Sequence, residues 1–125
     1  MIIPQRPYMP IGSLRQCLVY PLETVTDEVL IPILKHCHLD HLTDKLDIRD
    51  DWQNRLSLGE QQRVNFVRVL LHQPTWLVMD EPTSHLQHEL AFELMAMLVK
   101  ALPKSAMLII SHHKDQLPTF DHVIS

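Results

Sequence analysis

Two short apolar runs, Trp76 to Met79 and Ala106 to Ile110, lie on either side of a stretch whose apolar residues recur at helical spacing. Runs of this length, closed off by acidic, proline or histidine residues, read as buried strands rather than helices. Between them Leu90, Leu94, Met97 and Leu98 mark the inward face of a helix from about His88 to Ala101. Strand, helix and strand joined by short connections form a βαβ unit, and the crossover makes its two strands parallel. The chain is therefore predicted to be α/β. Ligands of open parallel sheets collect at the carboxyl ends of the strands. Asp80 and Glu81 follow the first run and Ser111, His112 and His113 follow the second, so an acidic pair and an imidazole are expected on one rim.

Upstream, Pro4, Pro7 and Pro10 keep the opening residues out of helix, so Met1 to Pro10 reads as a strand end passing into a loop. Gly12 and Ser13 offer a cap for a short helix from Leu14, which Tyr20 and Pro21 close. Thr26, followed by Asp27 and Glu28, opens a helix through Val29, Leu30, Ile33 and Leu34, with Pro32 weakening its early part. An Asp-rich stretch from Asp44 to Asn54 reads as a polar loop. Ser57 precedes Glu60 by three residues, the capping-box spacing. Behind it Val64, Val67, Leu70 and Leu71 form an apolar stripe to about His72, stopped by Gln73 and Pro74.

Composition narrows the function. A length of 125 residues, 46% of them hydrophobic, suits one domain, and a net charge of −4 gives no basic face for a nucleic acid. Two cysteines, Cys17 and Cys37, cannot build a disulfide framework, and no secretory leader opens the sequence, so a reducing cytosolic setting is expected. The longest apolar runs are far shorter than the roughly 18 residues a membrane span needs. With only Gly12 and Gly59 available, these residues hold no phosphate-cradling GxxxxGK[ST] loop.

Four features follow one another: Gln5 in IIPQRPYMP, LSLGEQQR from Leu56 to Arg63, WLVMDEPTS from Trp76 to Ser84, and ISHH ending at His113. This order, and above all LSLGEQQR, resembles the C-terminal part of an ABC-transporter nucleotide-binding domain over nearly the whole chain. The opening IPQRPYMPIGSLRQCLVYP is more specifically similar to the branch holding the peroxisomal fatty-acyl half-transporters and the SbmA/BacA-like and YddA-like bacterial transporters. The resemblance implies a truncated P-loop NTPase core with a helical insert over about 13–56, then the signature helix, Walker B strand and switch-histidine strand over about 57–125.

It also implies roles. Asp80 would hold Mg²⁺, Glu81 would polarise the attacking water, His112 would touch the γ-phosphate, and Gln5 would sense Mg²⁺ and water where the domain meets a permease. Ser57, Leu58, Gly59 and Glu60 would face ATP held by a second nucleotide-binding domain, since a helix amino end suits an anion. The implied parent is an ATPase that powers transport from the cytoplasmic face of a membrane. These 125 residues alone are expected to be soluble, to bind ATP weakly or not at all, and to be inactive. Two departures stand out: Leu58 replaces the usual second signature glycine, and Gln87 replaces the usual D-loop aspartate in Ser84-His85-Leu86-Gln87.

Two other readings compete with this one. A non-catalytic remnant or docking module fits the missing phosphate loop. An ABC ATPase of DNA repair shares the signature but sits poorly with the acidic balance. Residue by residue, His36, Cys37, His38, Asp40 and His41 are metal-ligand types, yet neighbours on a helix point apart, and a solvated helix end is the simpler expectation. Arg63 is expected to pair with a carboxylate, Trp52 to pack the helical insert, His113 to be structural or exposed, and Phe92, Met95 and Met97 to fill the core.

Overall fold

A computed structural model of the chain describes residues 1–111 and the backbone strand Val123–Ile124. In chain order, strand Ile2–Ile3 (β1) leads through the proline-rich loop to a two-residue strand, Gly12–Ser13 (β2), and helix Leu14–Val19 (α1). Ser13 closes a full capping box with Gln16, as the sequence suggests. Helix Asp27–His36 (α2) follows, and Pro32 lies inside it without ending it. The proline removes one backbone bond, but Leu30 and Leu34 are both fully buried and hold the helix to the core.

The Asp-rich stretch departs from the predicted polar loop. It carries a 3-10 helix, Asp40–Lys45, a short strand, Arg49–Asp50 (β3), and a helical turn, Trp52–Arg55 (α3). β3 pairs antiparallel with β2. Strands of two residues show no alternation, so periodicity cannot reveal them. Leu42, Leu46 and Trp52 anchor the stretch, and the Trp52 indole donates to the Ile48 carbonyl at 3.0 Å. Arg15 ties it to α2 by pairing with Asp27 at 2.5 Å and Asp47 at 3.3 Å.

The long helix Leu58–His72 (α4) then leads into Trp76–Asp80 (β4), helix His88–Ala101 (α5) and Ala106–Ile110 (β5). The bounds of α5 and β5 match the sequence reading. With Val123–Ile124 as β6, the main sheet has the order β1-β4-β5-β6, every pair parallel.

The two faces of this sheet differ. Ile3, Leu77, Met79 and Ile109 point one way and are almost wholly buried. Register places Ile2 beside Val78, Trp76 beside Ala106 and Val78 beside Leu108, all on the opposite face. There Ile2 is 71% exposed and Trp76 is 52% exposed. Among the described residues the strands predicted to be buried are thus fully covered on one side and only partly on the other, where Val78 and Leu108 are half-buried. On α5 the inward residues are Ala91, Leu94, Met95 and Leu98, with Leu90 and Met97 half-buried at the margins. Phe92, expected in the core, sits one step around the helix and is exposed.

Candidate functional site

Helix α4 organises the rim of the sheet. Its capping box forms as predicted: the Ser57 hydroxyl accepts from the Glu60 N–H at 3.1 Å, and the Glu60 carboxylate accepts from the Ser57 N–H at 2.9 Å. The second Glu60 oxygen meets the His41 ring at 2.7 Å. Burial pushes the Glu60 pKa up, but hydrogen bonds from His41 and Ser57 outweigh it and hold the carboxyl below its ordinary value. Ser57 and Leu58 are exposed at this helix end, and the Leu58 and Gly59 amides, in the first turn, have no intrahelical acceptor.

Gly59 has a local reason to be glycine. A β-carbon there would lie 3.0 Å from the His85 carbonyl oxygen and 3.6 Å from Leu86 Cδ2. The segment after β4 therefore passes directly against the amino end of α4.

The side of α4 away from its predicted apolar stripe is also buried. Gln61, Gln62, Asn65 and Arg68 are each no more than 6% exposed. Every one of them donates to a neighbouring backbone, although among the described residues the buried Gln61 oxygen has no partner. Gln61 donates to the carbonyls of Gln53 and Leu56, and Asn65 donates to that of Pro4 at 3.1 Å. Arg68 donates to Cys17 at 2.6 Å and to Tyr8 at 2.7 Å, with its guanidinium 5.3 Å from the Tyr20 ring centre. Burial lowers the Arg68 pKa to about 10 against the opposing influence of Cys17 and Tyr20, and the group stays cationic at neutral pH. Gln62 reaches the turn after β4, donating to Glu81 at 3.0 Å and to Ser84 at 2.9 Å and accepting from the His85 N–H at 2.8 Å.

That turn holds the acidic pair. Asp80 ends β4 and is exposed, and Glu81 follows, half-buried, with a φ of +46°. The Glu81 N–H donates to the Ile110 carbonyl at 2.7 Å, which binds the turn to the end of β5. Gln5 comes from the exit of β1, and its amide donates to the Ser84 hydroxyl at 2.9 Å. Gln5, Asp80, Glu81 and the amino end of α4 thus gather at the carboxyl rim of one sheet. His112 and His113, expected to complete the rim, lie outside the described residues; Ser111, just before them, is buried beyond the end of β5.

The sequence reading did not single out Gln62 or Ser84. A signal exists for the first: Gln62, Asn65 and Arg68 recur every third residue, a polar stripe at helical period on a helix that also has an apolar one.

The histidine-rich segment is engaged elsewhere. His38 pairs with Glu93 on α5 and His41 with Glu60, while Cys37 lies fully buried with its thiol pushed up to about 12 by burial, Arg63 opposing. Such a thiol stays protonated and is a poor ligand or nucleophile. Among the described residues no three His, Cys, Asp or Glu side chains are arranged to hold a metal ion. Arg63, expected to pair with a carboxylate, donates instead to the carbonyls of His38 at 2.7 Å and Gly59 at 3.4 Å. It bridges the two segments through backbone.

Comparison with known proteins bears on this arrangement. A family model described as ABC transporter matches residues 11–84. The ABC transporter D family member 1 of Arabidopsis thaliana is 35% identical over 98% of this chain and 10% of its own length. The inner membrane ABC transporter ATP-binding protein YddA of Escherichia coli is 33% identical over 88% of this chain and 20% of its own length. The chain therefore spans between a tenth and a fifth of these relatives. A solved bacterial Atm1-family ABC exporter with ATP bound superimposes with a TM-score of 0.83 over 99% of the chain and 23% of its own, at 20% identity, which speaks for the fold alone. Among the described residues no helix is long and apolar enough to cross a membrane. The family match over most of the chain, and relatives that share a third of its residues, lead to one conclusion: this chain belongs to the ABC transporter family.

Proposed function

We propose that these residues form the hydrolytic half of an ATP-binding domain that powers an ABC transporter. The observation that carries the reading is the meeting of Gln5, Asp80 and Glu81 at one rim beside the capped amino end of α4. A triphosphate with Mg²⁺ supplies an electrophilic phosphorus and a leaving group; the residues of this chain supply position and charge.

The donor set suits those groups. Asp80 presents a solvent-facing carboxylate at a strand end, an oxygen ligand of the kind a hard dication takes. Glu81, one residue on, would orient a water and draw on its proton, and Gln5 would line the same rim from β1. The exposed start of α4 would meet the phosphates bound by a second nucleotide-binding domain, with Ser57, Leu58 and Gly59 nearest. Glu60 serves that end as the cap. His112 is assigned to the γ-phosphate on sequence alone. In this reading residues 13–56 form the helical insert, residues 57–125 form the signature and Walker B part, and a permease partner holds the assembly at the cytoplasmic face of a membrane.

A chimera tests the assignment. Placing residues 1–125 in the corresponding segment of YddA should give an ATPase, and Glu81→Gln in that chimera should lower kcat by about 10²-fold or more. Turnover unaffected by the substitution would discard the catalytic role of Glu81. Alone, the 125 residues carry no GxxxxGK[ST] sequence and are expected to bind Mg-ATP weakly. Calorimetry that returns micromolar affinity for them would contradict this.

A further inference from the structure

Glu81 occupies a backbone region that a β-carbon disfavours, and something must hold it there. On one side its N–H is fixed to Ile110. On the other stands Gln62, 1% exposed, with its amide nitrogen bonded to the Glu81 carbonyl and the Ser84 hydroxyl and its oxygen bonded to the His85 N–H. One side-chain amide thereby uses both donor hydrogens and its acceptor on three points of a five-residue turn.

Ser84 is equally committed. Its hydroxyl accepts from Gln62 and from Gln5, each at 2.9 Å, and lies 3.4 Å from the Glu81 carbonyl as donor. A hydroxyl has two lone pairs and one hydrogen, and all three are engaged. Burying an amide on α4 would be unfavourable unless it were paired in this way.

We infer that Gln62 is a positioning residue: it clamps both ends of the 81–85 turn, sets the direction in which Glu81 presents its carboxylate, and couples that direction to Gln5 through Ser84. The meaning for hydrolysis rests on the role proposed above for Glu81, whereas the clamp itself does not.

Backbone hydrogen exchange at residue resolution on the 125-residue chain, without nucleotide, tests the clamp. Gln62→Leu keeps the volume and removes every bond. It should speed exchange at the Glu81 and His85 amides roughly tenfold beyond the factor shared by the amides of α4 and α5, the loss of about one net hydrogen bond. Ser84→Ala should speed exchange at Glu81 and shift the Gln5 side-chain amide resonances, and Ser84→Thr, which keeps the hydroxyl, should restore both. Val67→Ala, a core truncation that leaves every hydrogen bond of the turn in place, supplies the uniform response of a destabilised chain. If Glu81 and His85 change only by that uniform factor, the clamp is wrong. Should Gln62→Leu not fold, the Ser84 pair decides by the same criterion. Intact turnover of the Glu81→Gln chimera would remove the catalytic reading and leave the exchange result standing, so the two failures are separable.

Discussion

A methyl group on Gly59 would press on the His85 carbonyl, whose own residue is held by Gln62 and cannot easily withdraw. Alanine in place of glycine inside a helix ordinarily adds about 1 kcal/mol of stability. At Gly59 that gain should be absent or reversed, with a lower urea midpoint for Gly59→Ala; a higher midpoint would show that the 84–87 segment yields freely. Glu60 adds a pH signature. Its pKa in the folded chain is lowered, so its contribution is fully present above its ordinary value of 4.5 and is lost as pH falls through the folded value. Urea midpoints taken from about pH 6 down to about pH 3 should fall more steeply for the natural chain than for Glu60→Gln; equal slopes would remove Glu60 from the acid response. Both residues were visible in the sequence as members of LSLGEQQR, and the capping box could be read from spacing alone. The steric reason for Gly59 could not, because its contact comes from a segment 26 positions later in the chain.

Helix α4 gives the clearest contrast between pattern and structure. Its apolar stripe and both ends were legible from periodicity, a cap and a stop. That its polar stripe is buried was not, since burial on that side depends on the loop after β1 and the turn after β4 folding over it. Arg68 is the strongest test at this scale. Arg68→Leu removes the donors that serve the buried Cys17 carbonyl and the part-buried Tyr8 contact, and leaving a buried acceptor unpaired costs about 1–3 kcal/mol. Equilibrium unfolding should show a loss of roughly 2–3 kcal/mol, near the upper part of that range. A loss below about 0.5 kcal/mol, the size of an ordinary surface change, would mean that solvent reaches those carbonyls. The left-handed conformation of Glu81 was equally beyond sequence, because glutamate has no intrinsic preference for it and long-range hydrogen bonds impose it.

For the molecule as a whole, the parallel sheet was legible and the uneven covering of its two faces among the described residues was not. Strand period tells which residues share a face, and only the packed chain tells which face is met. Ile2 and Trp76 stand exposed on the less covered side, beside half-buried Val78 and Leu108, and parallel sheets rarely leave a face to water. The purified chain should self-associate, with a scattering mass that rises with concentration, and Trp76→Glu should lower it; a clean monomer at high concentration would refute this. The sheet's connectivity has a temporal consequence as well. Among the described residues β1 pairs with β4 alone, some 75 positions later in the chain, so within this segment it can be paired only once β4 exists. During synthesis Ile2 and Ile3 leave the ribosome well before β4, and the whole helical region is made before the two strands can pair. Closing so long a loop is slow and entropically unfavourable, so β1 should dock later than the local helices between it and β4, and a nascent chain stalled before Trp76 would leave Ile2 and Ile3 without the strand they pair with here.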